Sequence, residues 1–179
     1  GSNDYVTIPD NNSLDLSDGP FTIEFWAKPS TITGGGFHWV ISKDAGNGSI
    51  DYLIGVSGGK WRFISRNSGG SYAINILGNN IVANNYYHVA SVFDGSVATL
   101  YVNGVNEGED ISIGSIVNNS QNVLIGGRTA NNPHQLFSGN IDDIHIWNVA
   151  LTEEQIQSNM NNGISGDEVG LVSYYNFNE

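Results

Sequence analysis

Glu107, Glu109 and Asp110 stand within four residues of one another, the densest group of carboxylates outside a helix start. Two carboxyl groups roughly 5–5.5 Å apart are what retaining glycoside hydrolysis needs. This group follows directly on Asn103-Gly104, is interrupted by Gly108 and holds no aromatic to shape a sugar site. It therefore reads as a solvated return strand or loop. The histidines at 38, 88, 134 and 145 fall in no metal-ligand spacing. With no cysteine, thiolate zinc sites, disulfides and cysteine nucleophiles are excluded. Val56-Ser57-Gly58 lacks the preceding glycine of a nucleophile elbow. No catalytic set emerges, and the chain is expected not to be an enzyme.

Binding chemistry is better represented. Residues 58–72 hold Lys60, Arg62 and Arg66, three of the six basic residues of the chain. Strand alternation puts Arg62, Ile64 and Arg66 on one face and Trp61, Phe63 and Ser65 on the other. Tyr72 follows a glycine loop that can fold back over Arg66. On one reading Trp61 and Phe63 are core and the arginines neutralise nearby carboxylates. On the other, Arg62, Arg66 and Tyr72 read a hydroxyl-rich or acidic sugar, since the guanidinium fork suits carboxylates and sulfates. Two further candidates are Arg128 with the loop of Asn131, Asn132 and His134, and an exposed platform of His38 and Trp39 after a triple-glycine turn. Trp26 and Trp147 lie in alternating segments and are expected in the core.

The elements that must position these groups are short. At 179 residues, with 39% hydrophobic and 11% aromatic content, the chain can fold as one domain, expected over 3–179 after a cloning remnant at Gly1-Ser2. Six basic against eighteen acidic residues leave a net charge of −12, which disfavours nucleic acid and anionic membranes as partners. No apolar run reaches the roughly 20 residues of a spanning helix.

The dominant period is two. Residues 21–29 place Phe21, Ile23 and Phe25 opposite Thr22, Glu24 and Trp26. Similar runs recur at 37–42, 50–56, 61–66, 72–77, 86–93, 97–102, 122–126, 141–147 and 171–177, separated by glycine- and asparagine-rich turns. Asn103-Gly104 predicts a type I′ hairpin, and Asp94-Gly95 a second reversal before it. One helix is predicted from Thr152, with Gln155 at capping-box spacing, Glu153 and Glu154 in the first turn and Gly163 as its stop. The pattern gives an all-β sandwich or barrel.

Residues 86–104, an aromatic followed by His-Val-Ala, Asp-Gly and Leu-Tyr-Val-Asn-Gly, resemble the central signature of laminin-G-like, pentraxin-like and concanavalin-A-like jelly rolls. Residues 4–29, 123–156 and 170–179 resemble the family's opening, its late strand pair with a short helix, and its closing strand. The resemblance implies a two-sheet antiparallel jelly-roll sandwich, neighbouring termini and a structural calcium. For that calcium it points to the pair Asp142-Asp143, with Asp143 facing the metal if alternation holds, joined by Asp4, Asp18 and the carbonyls around Ser17 and Gly19. Calcium takes six to eight oxygens. The Glu-x-Asp-x-Glu run of laminarinase-type relatives is absent, and Asp143-Ile144-His145 lacks the glutamine of the lyase motif.

The function expected from residues and resemblance together is a carbohydrate-binding module of a secreted bacterial polysaccharide-degrading or surface protein. A calcium-stabilised adhesion or protein-interaction module is the other reading, and a glycanase the third.

Overall fold

Short alternating segments close into two sheets because each strand has one apolar face to bury. The computed structural model describes residues 4–15, 19–32, 36–46, 48–67, 69–111, 116–128 and 134–177, so Gly1-Ser2 lies outside it. Among the described residues the strands are β1 (Val6–Ile8), β2 (Phe21–Pro29), β3 (Phe37–Asp44), β4 (Ile50–Ser57), β5 (Lys60–Arg66) and β6 (Tyr72–Asn80). They continue with β7 (Tyr87–Phe93), β8 (Val97–Val102), β9 (Val105–Ile111), β10 (Val123–Ile125), β11 (Gly139–Trp147) and β12 (Leu171–Tyr175). The first sheet runs β1-β10-β3-β4-β5-β6 and the second β12-β11-β2-β7-β8-β9. All neighbours within both sheets are antiparallel. The all-β sandwich is thus as the sequence predicts.

Aromatic rings join the sheets. Phe21 meets Phe63 at 6.1 Å between centroids and Phe25 meets Trp61 at 5.9 Å, all four rings fully buried. Edge-on contacts at this spacing suit the ring quadrupole, and burying each side chain contributes about 1.5–3 kcal/mol. Trp61 and Phe63 are therefore core, which turns Arg62, Ile64 and Arg66 outward.

The hairpin at Asn103-Gly104 has φ of 51° and 74°, the left-handed pair a type I′ turn requires. It joins β8 to β9 and makes β7-β8-β9 three consecutive antiparallel strands. The helix α1 (Glu153–Asn162) carries the full capping box between Thr152 and Gln155. Its Ile156 packs with Trp147, Val92 and Leu151 on the outside of the second sheet. Trp147 is buried there rather than between the sheets. Trp26 lies on the same outer side, only partly buried, with its ring 5.3 Å from that of His88.

The seam between β6 and β9 explains the acidic run. Glu107 Oε2 accepts the backbone N–H of Asn79 and Asp110 Oδ2 that of Asn75, both at 2.9 Å. An edge strand exposes such donors to unwanted pairing, and these carboxylates cover them. The run is a strand whose acids close the sandwich edge.

Candidate ligand-binding face

The outward side of β5 builds the first candidate. Strand pairing sets Arg62 between Gly55 and Leu77, and Arg66 opposite Tyr72, so these residues share the outer face of the first sheet. The Arg62 guanidinium lies 5.8 Å from the centroids of both Phe37 and Tyr72, and that of Arg66 lies 4.9 Å from Tyr72. Arg62 is held by Asn75, whose Oδ1 accepts from Nε at 3.1 Å and from Nη2 at 2.8 Å. Arg66 Nη1 donates to the Gly70 carbonyl at 2.8 Å. Rings and guanidinium groups therefore alternate along one surface, with Tyr72 40% exposed and Phe37 36%.

Neither arginine belongs to a salt bridge among the described residues, whereas Lys43 and Arg128 do. The expectation that the arginines merely neutralise neighbouring carboxylates is not what the face shows. Asn75, Phe37 and Leu77 belong to it and escaped the sequence reading. Register alone could have found Asn75 and Leu77, had β6 been aligned against β5.

Trp39 is a correction. It is 1% exposed and lies in an outer cluster with Ile50, Leu53 and Ile64, so it forms no exposed platform. The segment after residue 133 covers it: Trp39 Nε1 donates to Gln135 Oε1 at 2.9 Å, and His38 Nδ1 lies 3.1 Å from the Leu136 carbonyl oxygen. Its ring stacks on Phe37, 5.6 Å apart and 8° from parallel, so Phe37 is the ring that reaches solvent. A Cβ on Gly55 would stand 2.6 Å from the Trp39 Cα and 2.3 Å from the His38 carbonyl oxygen. Only glycine lets β3 and β4 close there, and the register puts Gly55 between Trp39 and Arg62 across the three strands.

Arg128 and His134 pair as an isolated bridge, and the Arg128 guanidinium is ion-paired with the buried Asp44. Arg128 is thus anchored to the sheet, while His134 is exposed. Asn131 and Asn132 lie outside the described residues.

The acids assigned to calcium are not part of the arginine face. Strand alternation fails at Asp142-Asp143: Asp142 pairs with Trp26 and His145 with Glu24, leaving two residues opposite one, a β-bulge. Asp143 takes φ of 46°. Asp142 Oδ1 accepts the Asp143 N–H at 2.9 Å, and Asp143 Oδ1 accepts from Tyr174 Oη at 3.3 Å. Burial, then the charge of Asp143, raises the Tyr174 pKa. Asp4 is at the start of the opening segment, beside Gly126 and Phe177 in a cavity of about 230 Å³. That shared cavity also brings together Asp4 and Phe177, the first and last of the described residues. Among the described residues no three His, Cys, Asp or Glu side chains are grouped to hold a metal. Asp18 and Ser17 lie outside the described residues.

The opening segment is tied by an ammonium. Lys43 is fully buried, and its Nζ donates to Asp10 Oδ1 at 2.8 Å, to Asp15 Oδ1 at 2.6 Å and to the Asn119 carbonyl. Burial alone would lower its pKa, but the two carboxylates outweigh it and the net shift is upward.

A second buried polar group lies under α1. Glu24 Oε1 accepts from His145 Nδ1 at 3.0 Å, Trp147 Nε1 at 3.1 Å and Asn159 Nδ2 at 2.8 Å, while His88 Nε2 lies 3.6 Å from Oε2. Burial lowers the His88 pKa to about 4. With the helix packed over it, this group anchors α1 to the sheet.

The comparisons fit this architecture. Residues 1–157 match the family model described as the concanavalin A-like lectin/glucanases superfamily, of laminin-G type. The chain belongs to that superfamily. No curated protein matches it in sequence. Among solved structures it is similar to a Bacteroides ovatus protein whose carbohydrate-binding assignment is provisional, with 20% identity and a TM-score of 0.75 over 96% of this chain and 48% of that one. Domain 4 of an extracellular arabinanase from Geobacillus stearothermophilus, solved with arabinotriose, aligns at 20% identity and TM-score 0.63, covering 86% of this chain and 71% of the other. A heptameric SAP-like pentraxin from Limulus polyphemus aligns at 19% identity and TM-score 0.61, covering 89% and 83%. The chain spans about half the length of the Bacteroides protein. At these identities the likeness concerns the fold.

Proposed function

We propose that this domain is a non-catalytic carbohydrate-binding module of a secreted or cell-surface protein, holding a glycan on the outer face of its first sheet. One observation carries the reading: Phe37, Arg62, Tyr72 and Arg66 alternate as ring, cation, ring, cation, with successive groups 4.9–5.8 Å apart. Sugar recognition needs exposed aromatic surface beside planar hydrogen-bonding groups, and Asn75 adds a further amide there. Guanidinium groups fixed by rings and by Asn75 lose little freedom on binding, so more of the contact energy becomes affinity. The provisional carbohydrate-binding assignment of the Bacteroides ovatus protein and the arabinotriose in the arabinanase domain support the same class of ligand. The test is retardation in gels containing dissolved polysaccharides, with the Arg62→Ala and Tyr72→Ala variants beside the parent. Retardation weakened in both variants, with melting points kept, is the expected result.

A further inference from the structure

A cavity of about 570 Å³ opens where the loops after β3, β5 and β9 meet, lined by Gly48, Ser49, Asn67, Gly70, Val117 and Asn118 among others. Arg66 forms part of its surroundings from the sheet side. Its Nη1 bonds the Gly70 carbonyl, and a Cβ on Gly48 would stand 3.2 Å from that same nitrogen. Its own carbonyl accepts the Val117 N–H at 2.9 Å, so two of the three loops are pinned to this one residue. Gly48 and Gly70 have φ of 90° and 76°, values that side-chain-bearing residues rarely adopt, and the bare backbone of Gly48 leaves the guanidinium uncrowded.

The charge around this cavity runs against the chain. Eighteen acidic residues face six basic ones overall, yet no lining residue is acidic, and Arg66 has no salt bridge among the described residues. Ser49, Asn67 and Asn118 supply polar side chains, and the Tyr72 ring flanks Arg66 on the sheet side. In a molecule with a net charge of −12, a guanidinium with no salt bridge among the described residues, beside a polar cavity, favours an anionic group over a neutral one.

Resting on the glycan reading above, we propose that Arg66 and this cavity receive the anionic substituent, carboxylate or sulfate ester, of an acidic polysaccharide, while Tyr72 packs against the sugar that carries it. The module then selects charged over neutral glycans. Arg62 and Phe37 extend the contact to neighbouring sugars along the face.

Matched polymers that differ only in charge test this. Retardation of the intact chain is measured with polygalacturonate against its carboxyl-reduced form, and with dextran sulfate against dextran. The expected result is that at least one charged polymer binds tenfold or more tightly than its neutral partner. Arg66→Gln should remove that preference, and rising salt should weaken the charged complex. A preference for the carboxylated pair alone, or for the sulfated pair alone, says which anion is read. Equal binding of charged and neutral partners overturns the anionic inference and leaves glycan binding standing. Binding to none of these polymers, nor to any neutral glycan, overturns both. Because the matched pairs are read with the unmodified chain, a folding defect in Arg66→Gln cannot blur the outcome.

Discussion

The guanidinium of Arg66 lies over the ring of Tyr72, 4.9 Å from its centroid, and the two residues face each other in register across β5 and β6. Tyr72 is 40% exposed, so much of its ring is open to solvent. Tyr72→Ala should lower glycan affinity roughly two- to tenfold while costing about 1 kcal/mol of stability. Affinity gels paired with thermal melts check both numbers. A large loss of melting temperature with unchanged affinity would assign the ring to stability alone.

Lys43 is the cation that fixes the opening segment. Lys43→Met leaves Asp10 and Asp15 without their ammonium and should cost about 3–5 kcal/mol, read from urea unfolding. The raised pKa adds a pH signature. Stability contributed by Lys43 is complete below its ordinary value of 10.5 and is lost as pH rises through the higher folded value. The alkaline limb of the stability profile should therefore be less steep in the variant.

His88 gives the opposite signature. Its folded pKa is about 4, below the ordinary 6.5, so the unfolded chain binds the proton first. Stability is complete above about pH 6.5 and falls as pH drops towards 4, by on the order of 3 kcal/mol. His88→Gln should flatten the unfolding free energy between these pH values relative to the parent. An unchanged slope would show that folding does not lower the His88 pKa.

The acids of β9 act as edge caps. Glu107→Ala combined with Asp110→Ala leaves the Asn79 and Asn75 N–H groups uncovered and should cost about 1–3 kcal/mol. Light scattering on warming should show earlier association, because the edge of β6 is then open to a second strand. Unchanged stability and scattering would remove the capping role.

Much of this was legible in the chain. The alternation of 21–29 and 61–66 orients Phe25 and Trp61 inward and Arg62 and Arg66 outward, because period two admits only two faces. Asn103-Gly104 and the Thr152–Gln155 box are local signals that fix a turn and a helix start without tertiary help. What escaped depends on partners distant in sequence. Trp39 is buried on the outside of a sheet because Gln135 and Leu136 fold over it, and nothing near residue 39 says so. The Asp142-Asp143 bulge breaks the alternation used to aim Asp143. The bond from Lys43 to Asp10 and Asp15 spans about 30 residues and joins a strand to a segment with little regular structure.

Chelation separates the face from the metal expectation. The arginine face draws no residue from Asp4, Asp142 or Asp143, so glycan binding should survive excess chelator. Binding lost on chelation with the fold intact would move the ligand site towards Asp143. A lowered melting point with binding retained would show a structural ion that the arginine face does not use.

The central claim is that the outer face of the first sheet holds a glycan. Its most direct test is retardation of the intact chain across a panel of neutral and acidic polysaccharides, beside the Arg62→Ala, Arg66→Ala double variant. Retardation by at least one polysaccharide, abolished in a double variant that still melts cooperatively, is the predicted result. A double variant retarded as strongly as the parent, or a parent retarded by nothing, would contradict it.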